Sequence, residues 1–246
     1  MNQSILITGA TSGIGRALAY EMARKGYSLA LTARRKHLLD EIAEDIKAQH
    51  KVGAVVSREL DVTDDAAVFR VVAEMADSLG GLDIVFANAG VGLGEKVGCG
   101  EFDKARQTVA VNMIGAMATV DAAVAYFLKH GGGHIVGASS VAAYRGLPRS
   151  SAYSASKAGF AVYLEAVRAA CYRKNIHVTL LYPGFIDTPL NSMLPNRPFL
   201  ISVEKGAAII ARLIEKRVRS ARVPAYPWAF VAPLLKILPT SLISRM

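Results

Sequence analysis

The chain has 246 residues, 52% of them apolar, which is enough for one α/β core. Cys99 and Cys171 lie far apart without metal-ligand spacing, so neither a disulfide framework nor a metal site is expected, and both are read as packed thiols in a reducing compartment. With 29 Lys and Arg against 20 Asp and Glu, the formal charge of +9 favours anionic partners such as phosphates or acidic lipid, but its dispersal, without interleaved aromatics, argues against nucleic acid.

The first residues, "MNQSILITGATSGIG", lack a basic segment followed by a long apolar one, so no secretory signal is expected. No stretch offers the roughly 20 uninterrupted apolar residues of a spanning helix. The expected location is cytoplasmic.

A strand at 3–8 runs through "TGATSGIG" into a helix at 13–25. Gly9 permits a tight turn, Gly13 lets backbone approach a phosphate, and Gly15 lets helix and strand pack closely. The helix N-terminus then offers free N–H groups and a positive dipole end to a pyrophosphate. The second strand, 28–33, ends in "LTARRK". An acidic residue at that strand end would take the ribose 2′-OH of NAD, whereas an arginine suits the 2′-phosphate of NADP. Position 33 is alanine, so NADP(H) is expected over NAD(H), with Arg34 as main contact and Arg35 in support.

A helix at 36–49 places Leu38, Leu39, Ile42 and Ile46 on one stripe. After a strand at 53–59, "DVTDDAAV" opens a helix at 64–79 with Thr63 as N-cap. Strands at 82–86, 133–139, 176–182 and 221–225 alternate with helices at 102–129, 152–173 and 203–217. This alternation predicts an α/β protein, a single Rossmann-type doubly wound parallel sheet of about seven strands with helices on both faces and ligands beyond the carboxyl ends. Residues 1–226 are expected to form this domain, and 227–246 an apolar, proline-broken tail.

In "SAYSASKAGF", residues 151–160, Tyr153 and Lys157 are four apart and share a helix face. Free tyrosine titrates near pKa 10, and a cation one turn away would lower that value toward a working range for proton transfer. Ser140, at the end of the fifth strand, is placed to hydrogen-bond a substrate oxygen.

Over nearly its full length the chain resembles the short-chain dehydrogenase/reductase family. The matching pieces are the loop from Thr8 to Gly15, Asp61 with Val62, "ANAG" at 87–90, Asn112, "SS" at 139–140, "YSASK" at 153–157 and "PGFIDT" at 183–188. The resemblance implies cofactor contacts at Gly9, Thr11, Ser12, Gly13, Ile14 and Gly15, at Asp61 and Val62 for the adenine, and at Asn88, Ala89 and Gly90. It further implies Pro183, Gly184, Ile186 and Thr188 at the nicotinamide amide, with Tyr153 and Lys157 reaching the cofactor too. It implies a catalytic set of Asn112, Ser140, Tyr153 and Lys157, with Asn112 holding a water that joins Lys157 to solvent. Ala87 departs from a pattern that commonly has two asparagines here, which removes one expected hydrogen bond. The implied activity is NADPH-dependent reduction of a carbonyl. The alternatives are an alcohol or hydroxysteroid-type dehydrogenase working oxidatively, and a catalytically silent cofactor-binding scaffold or redox sensor. Homodimers or homotetramers paired through the helices near 102–129 and 152–173 are also implied.

The family's mobile substrate lid falls at about 189–205, where Leu190, Met193, Leu194, Phe199 and Leu200 would give the pocket apolar walls for a lipophilic ketone or aldehyde. In the tail, Trp228 and neighbouring apolar residues follow Lys216, Arg217, Arg219 and Arg222. That pattern fits an interfacial anchor at the inner face of a membrane; the competing reading is a tail folded over the pocket or against a partner subunit.

Overall fold

The computed structural model describes residues 3–244, so the last two residues of the tail lie outside the described residues. Seven parallel strands form one sheet in the order β3-β2-β1-β4-β5-β6-β7. They are β1 (Ser4–Thr8), β2 (Ser28–Ala33), β3 (Val55–Glu59), β4 (Ile84–Ala87), β5 (Gly133–Ala138), β6 (Ile176–Pro183) and β7 (Ser220–Val223). β1, β2 and β4 are buried along their whole length, which is why these strands read as unbroken apolar runs rather than alternating ones.

Crossover helices α1 (Gly13–Arg24), α2 (Lys36–Gln49), α3 (Asp65–Leu79), α4 (Phe102–Val109), α5 (Ala116–Lys129), α6 (Ser151–Ala170) and α7 (Val203–Glu215) cover both faces and divide the core in two. One half packs α3, α5 and α6 on the sheet around Phe127 and Phe160; the other packs α1, α2 and α7 around Leu18, Ile46 and Ile210. Two short helices, α8 (Trp228–Leu235) and α9 (Thr240–Ile243), end the chain.

Several local expectations change. Helix α2 turns Leu39, Ile42, Ala43 and Ile46 inward, leaving Leu38 only half-buried at the edge of the stripe. Asp64, not Thr63, caps α3 by accepting from the Ala67 N–H at 2.9 Å, while the Thr63 hydroxyl donates to Asp61 at 2.8 Å. The helix expected at 102–129 is interrupted by a π-helical turn, Ala110–Gly115, whose extra residue re-aims Asn112. Its apolar character reflects packing, because half of its most hydrophobic window is buried within the protein. Cys171 is buried, as expected, but Cys99 lies exposed on the loop after β4 and is no packed thiol.

At the amino end of the sheet, the Asp83 carboxylate accepts from the Ser4 N–H at 2.7 Å and the Ser4 hydroxyl at 3.0 Å. Also there, His134 Nε2 donates to Thr179 Oγ1 at 2.9 Å, because the Thr179 hydrogen goes to the Val218 carbonyl.

Candidate active site

The loops beyond the carboxyl ends of the strands enclose one continuous cleft, at the place where strand order reverses between β1 and β4. At one end are Ala33, Arg34, Arg35, Asp61 and Val62; at the other are Ser140, Tyr153, Lys157, Pro183 and Gly184. Between them lie Gly9, Thr11, Ser12, Gly13 and Ile14 on one wall and Asn88, Ala89 and Gly90 on the other, with Ile186 and Thr188 closing the lid side. Two expected residues, Gly15 and Asn112, do not line the cleft.

The glycine loop is shaped by close backbone approaches. Gly9 has φ +72°, and a Cβ there would come within 2.9 Å of the Ala89 Cα. A Cβ on Gly15 would meet the Gly9 carbonyl at 2.4 Å, so Gly15 acts from behind the loop, letting α1 begin against it. The loop is tied to its neighbours by Thr8, whose hydroxyl accepts from the Asn88 and Ala89 N–H groups at 3.0 and 3.1 Å. Asn88 in turn donates its side-chain amide to the Thr8 carbonyl at 2.9 Å. Ala87 is a buried strand residue, so Asn88 and Thr8 hold this junction without it.

Arg34 is exposed at the cleft rim, and Arg35 donates to the Thr11 hydroxyl at 2.9 Å, joining the second strand's end to the glycine loop. Burial pushes the Asp61 carboxyl up, but the Thr63 N–H and hydroxyl, with the Arg34 charge, hold it below the usual range. These residues fit a dinucleotide. The cleft offers the N-terminus of α1 and a backbone cradle for a pyrophosphate, and two guanidinium groups for a further anion beyond β2.

At the other end, α6 carries Tyr153 and Lys157 on one face, with the Lys157 Nζ 5.9 Å from the centre of the Tyr153 ring. Lys157 is only 5% exposed and donates to the Ala138 carbonyl at 2.9 Å. Burial lowers its ammonium to about 8. Burial also raises the Tyr153 phenol above its ordinary value, with contact to the Ser140 hydroxyl lowering it in part. Desolvation, and not the lysine, sets the direction of the phenol's shift. Ser140 opens a 3-10 turn, Val141–Tyr144, by accepting from the Ala142 N–H at 3.1 Å.

Asn112 lies behind Gly90. Its carboxamide accepts from the Val91 N–H and donates to the Val91 carbonyl, both at 2.8 Å, with a longer 3.5 Å contact to the Ser156 hydroxyl. In this arrangement it clamps the loop after β4.

The lid differs most from expectation. Of the five apolar residues named above only Leu190 lines the cleft, beside Pro189; Met193 is 92% exposed and Leu194, Phe199 and Leu200 face outward in part. A 189–205 loop has no periodic face from which side-chain direction could be read. Trp228, read above only as part of the tail's apolar face, is the tail's main anchor. Trp228 is 3% exposed, packs edge-on to Phe199 of the lid and tilted to Phe185, and occupies the space that a Cβ on Gly184 would enter at 2.1 Å. Helix α8 thereby supports the loop after β6 and rests on the 3-10 turn that follows Ser140. Nothing local signals this, because Trp228 and Gly184 are distant in sequence.

The family model described as "short chain dehydrogenase" matches residues 3–197. The chain belongs to the short-chain dehydrogenase/reductase family. As a member it is an oxidoreductase acting on CH–OH or C=O groups. Relatives include an uncharacterized oxidoreductase of Mycobacterium tuberculosis, 36% identical over 244 residues, covering 99% of this chain and 96% of that protein. The 11-beta-hydroxysteroid dehydrogenase 1A of Arabidopsis thaliana is 38% identical over 189 residues, covering 76% of this chain but 53% of that one. Among solved structures, an alcohol dehydrogenase from the archaeon Thermococcus sibiricus, complexed with 5-hydroxy-NADP, matches with TM-score 0.81 and 26% identity over 90% of this chain and 96% of that one. A levodione reductase shares the fold, with TM-score 0.84 and 23% identity over 93% and 98% of the two chains.

Proposed function

We propose that this short-chain dehydrogenase/reductase uses NADPH to reduce a lipophilic ketone or aldehyde to the alcohol, with Tyr153 as proton donor. The observation that carries the reading is one cleft that has Arg34 and Arg35, with alanine and no acid at the tip of β2 itself, at one end and Ser140, Tyr153 and Lys157 at the other. The nicotinamide cofactor, when bound, supplies the hydride. The remaining work falls to the chain. Gly9 to Gly15 and the start of α1 hold the pyrophosphate, Arg34 with Arg35 the 2′-phosphate, and Asp61 and Val62 the adenine. Asn88, Ala89 and Gly90 line the middle of the site, with Pro183, Gly184, Ile186 and Thr188 at the nicotinamide amide. The Ser140 hydroxyl orients the substrate oxygen, and the Tyr153 phenol protonates it. A raised phenol pKa keeps Tyr153 protonated at neutral pH, as an acid must be. Lys157, with its ammonium near 8, is still mostly charged there and stabilises the phenolate left behind. Asn112 fixes the loop that borders this proton path.

The oxidative reading, an alcohol or hydroxysteroid-type dehydrogenase, draws on the named activities of the plant and archaeal relatives. It would use the same Tyr153, Ser140 and Lys157 in reverse, with the phenolate as base, so the substrate and cofactor supplied decide between the two. Initial rates with NADPH and NADH against ketones and aldehydes of graded chain length test the choice. The expected result is a KM for NADPH at least about tenfold below that for NADH, consistent with a lost bidentate phosphate contact, and kcat/KM rising with chain length. A preference for NADH overturns the cofactor assignment. Turnover only of alcohols favours the oxidative reading, and binding without turnover the silent scaffold.

Exposed Phe102, Ile114 and Val162, on the helical run from α4 to α6, support pairing into a dimer or tetramer. The tail turns Trp228, Ala232 and Leu235 inward and Phe230, Leu234 and Ile237 outward, beside Lys236. That outer face supports peripheral binding to an acidic membrane surface. Co-sedimentation with vesicles rich in phosphatidylglycerol checks it: Phe230→Ser with Ile237→Ser should leave the chain in the supernatant, whereas failure of the unaltered protein to pellet rejects the idea.

A further inference from the structure

Helix α6, which carries Tyr153 and Lys157, lacks a cap of its own. Ser150 makes no side-chain cap bond, and the first turn holds no acidic residue, although the first amides of a helix need acceptors. The acceptor comes from 56 residues before Ser151, in the loop after β4. Glu95 Oε1 accepts from the Ser151 hydroxyl and, at 2.7 Å, from the Ala152 N–H, while the Glu95 N–H donates to the Arg149 carbonyl at 3.2 Å. Arg149 holds φ +58° at this junction, a region that residues with a Cβ seldom enter.

Glu95 is 6% exposed, and its Oε2 is buried without a partner. A buried carboxylate with one oxygen unpartnered is costly, and a cap bond accepted by the Ser150 hydroxyl itself would serve the helix without that cost. What the distant carboxylate adds is a connection. The same loop is held at Val91 by Asn112, so it is pinned at one point to the π-helical turn and at another to the residue just before Tyr153.

We propose that Glu95 is a positioning residue for Tyr153, capping α6 from the loop after β4 and so fixing the phenol over the cleft. This rests on the reading of Tyr153 as proton donor. With the Ala152 N–H released, the first turn of α6 frays, and Tyr153 belongs to that turn.

The test compares full-length Glu95→Ala, Glu95→Gln and Tyr153→Phe by steady-state kinetics, NADPH binding and amide hydrogen exchange over 150–156. Displacement of a catalytic group predicts kcat for Glu95→Ala lower by about ten- to a hundredfold, with NADPH affinity unchanged within about twofold. Exchange at 151–155 should quicken. Glu95→Gln, whose amide oxygen still accepts both bonds, should keep about a third or more of kcat. Full kcat in Glu95→Ala while Tyr153→Phe is inactive overturns the proposal and leaves the catalytic reading standing, as does unchanged exchange. Turnover by Tyr153→Phe overturns both. Should Glu95→Ala fail to fold, Ser151→Ala removes one of the two bonds, and normal kcat with normal exchange in that variant also overturns the proposal.

Discussion

At the amino end of the sheet, Ser4 and Asp83 satisfy one another and His134 donates to Thr179, which donates to the Val218 carbonyl. At the carboxyl end the pattern inverts. Among the described residues, the buried side-chain polar atoms without partners are Glu95 Oε2, Ser154 Oγ, Arg222 Nε and Trp228 Nε1, and every one belongs to a segment at or beyond the carboxyl ends of the strands. Lys157 and Tyr153, in the same region, both have pKa values moved against their charged forms by burial. One end of the molecule carries polar groups that hold it together, and the other keeps polar groups in states that cost stability.

The sharpest break of this contrast would come from Tyr153→Phe. Loss of a positioned acid predicts about a thousandfold fall in kcat, with thermal stability and NADPH affinity essentially unaltered; normal turnover would deny that this end is where the chemistry lies. Lys157→Met should abolish turnover and yet raise stability. The lysine's folded value of about 8 lies below its ordinary 10.5, so between these values the unfolded chain binds more protons than the folded one. Burying the charge therefore costs about 3 kcal/mol at pH 7, before subtracting the bond to Ala138, and the cost fades as pH rises through that interval. Denaturation at pH 7 and pH 10 reads this directly: the variant's advantage should shrink at the higher pH.

His134, at the amino end, shifts in the same direction but in a lower pH window, so at neutral pH its burial carries no such cost. Burial, with the Arg217 and His177 charges, holds its imidazole at about 4 against an ordinary 6.5. The fold thus keeps it neutral, and stability falls by up to about 3 kcal/mol as pH drops through that window, because the unfolded chain takes up the proton first. His134→Gln should flatten this acid limb in urea titrations while kcat at neutral pH stays within about twofold. The smallest effect is expected for Asp83→Asn. Weakening its bonds to Ser4 should cost about 1–2 kcal/mol with no change in KM or kcat, and a catalytic defect there would blur the division between the two ends.

Much of the carboxyl end was legible because βα units bring their ligands together locally. Gly9 and Gly13 lie on one loop, Ala33 to Arg35 at one strand end, and Tyr153 and Lys157 on one helix, so spacing alone carries the geometry. The strands of the buried sheet were equally plain, as apolar runs between turns. What escaped is contact between distant segments. The grip of Asn112 on Val91, of Glu95 on Ala152 and of Trp228 on Gly184 has no periodic signature. The π-helical turn hides for another reason: one extra residue barely disturbs an apolar pattern as continuous as that of 110–129. Thr63 and Asp64 are both good caps, and only the backbone decides between them.

The indole beneath Gly184 has a consequence for how the protein is made. During synthesis the loop after β6 emerges well before Trp228, so until the tail arrives that loop has no floor. A ribosome that stops at residue 226 would release all seven strands and the glycine loop but leave the loop after β6 without the indole that fills the space at Gly184. On the proposed reading, a chain cut there would keep its phosphate cradle and lose the footing of its nicotinamide end.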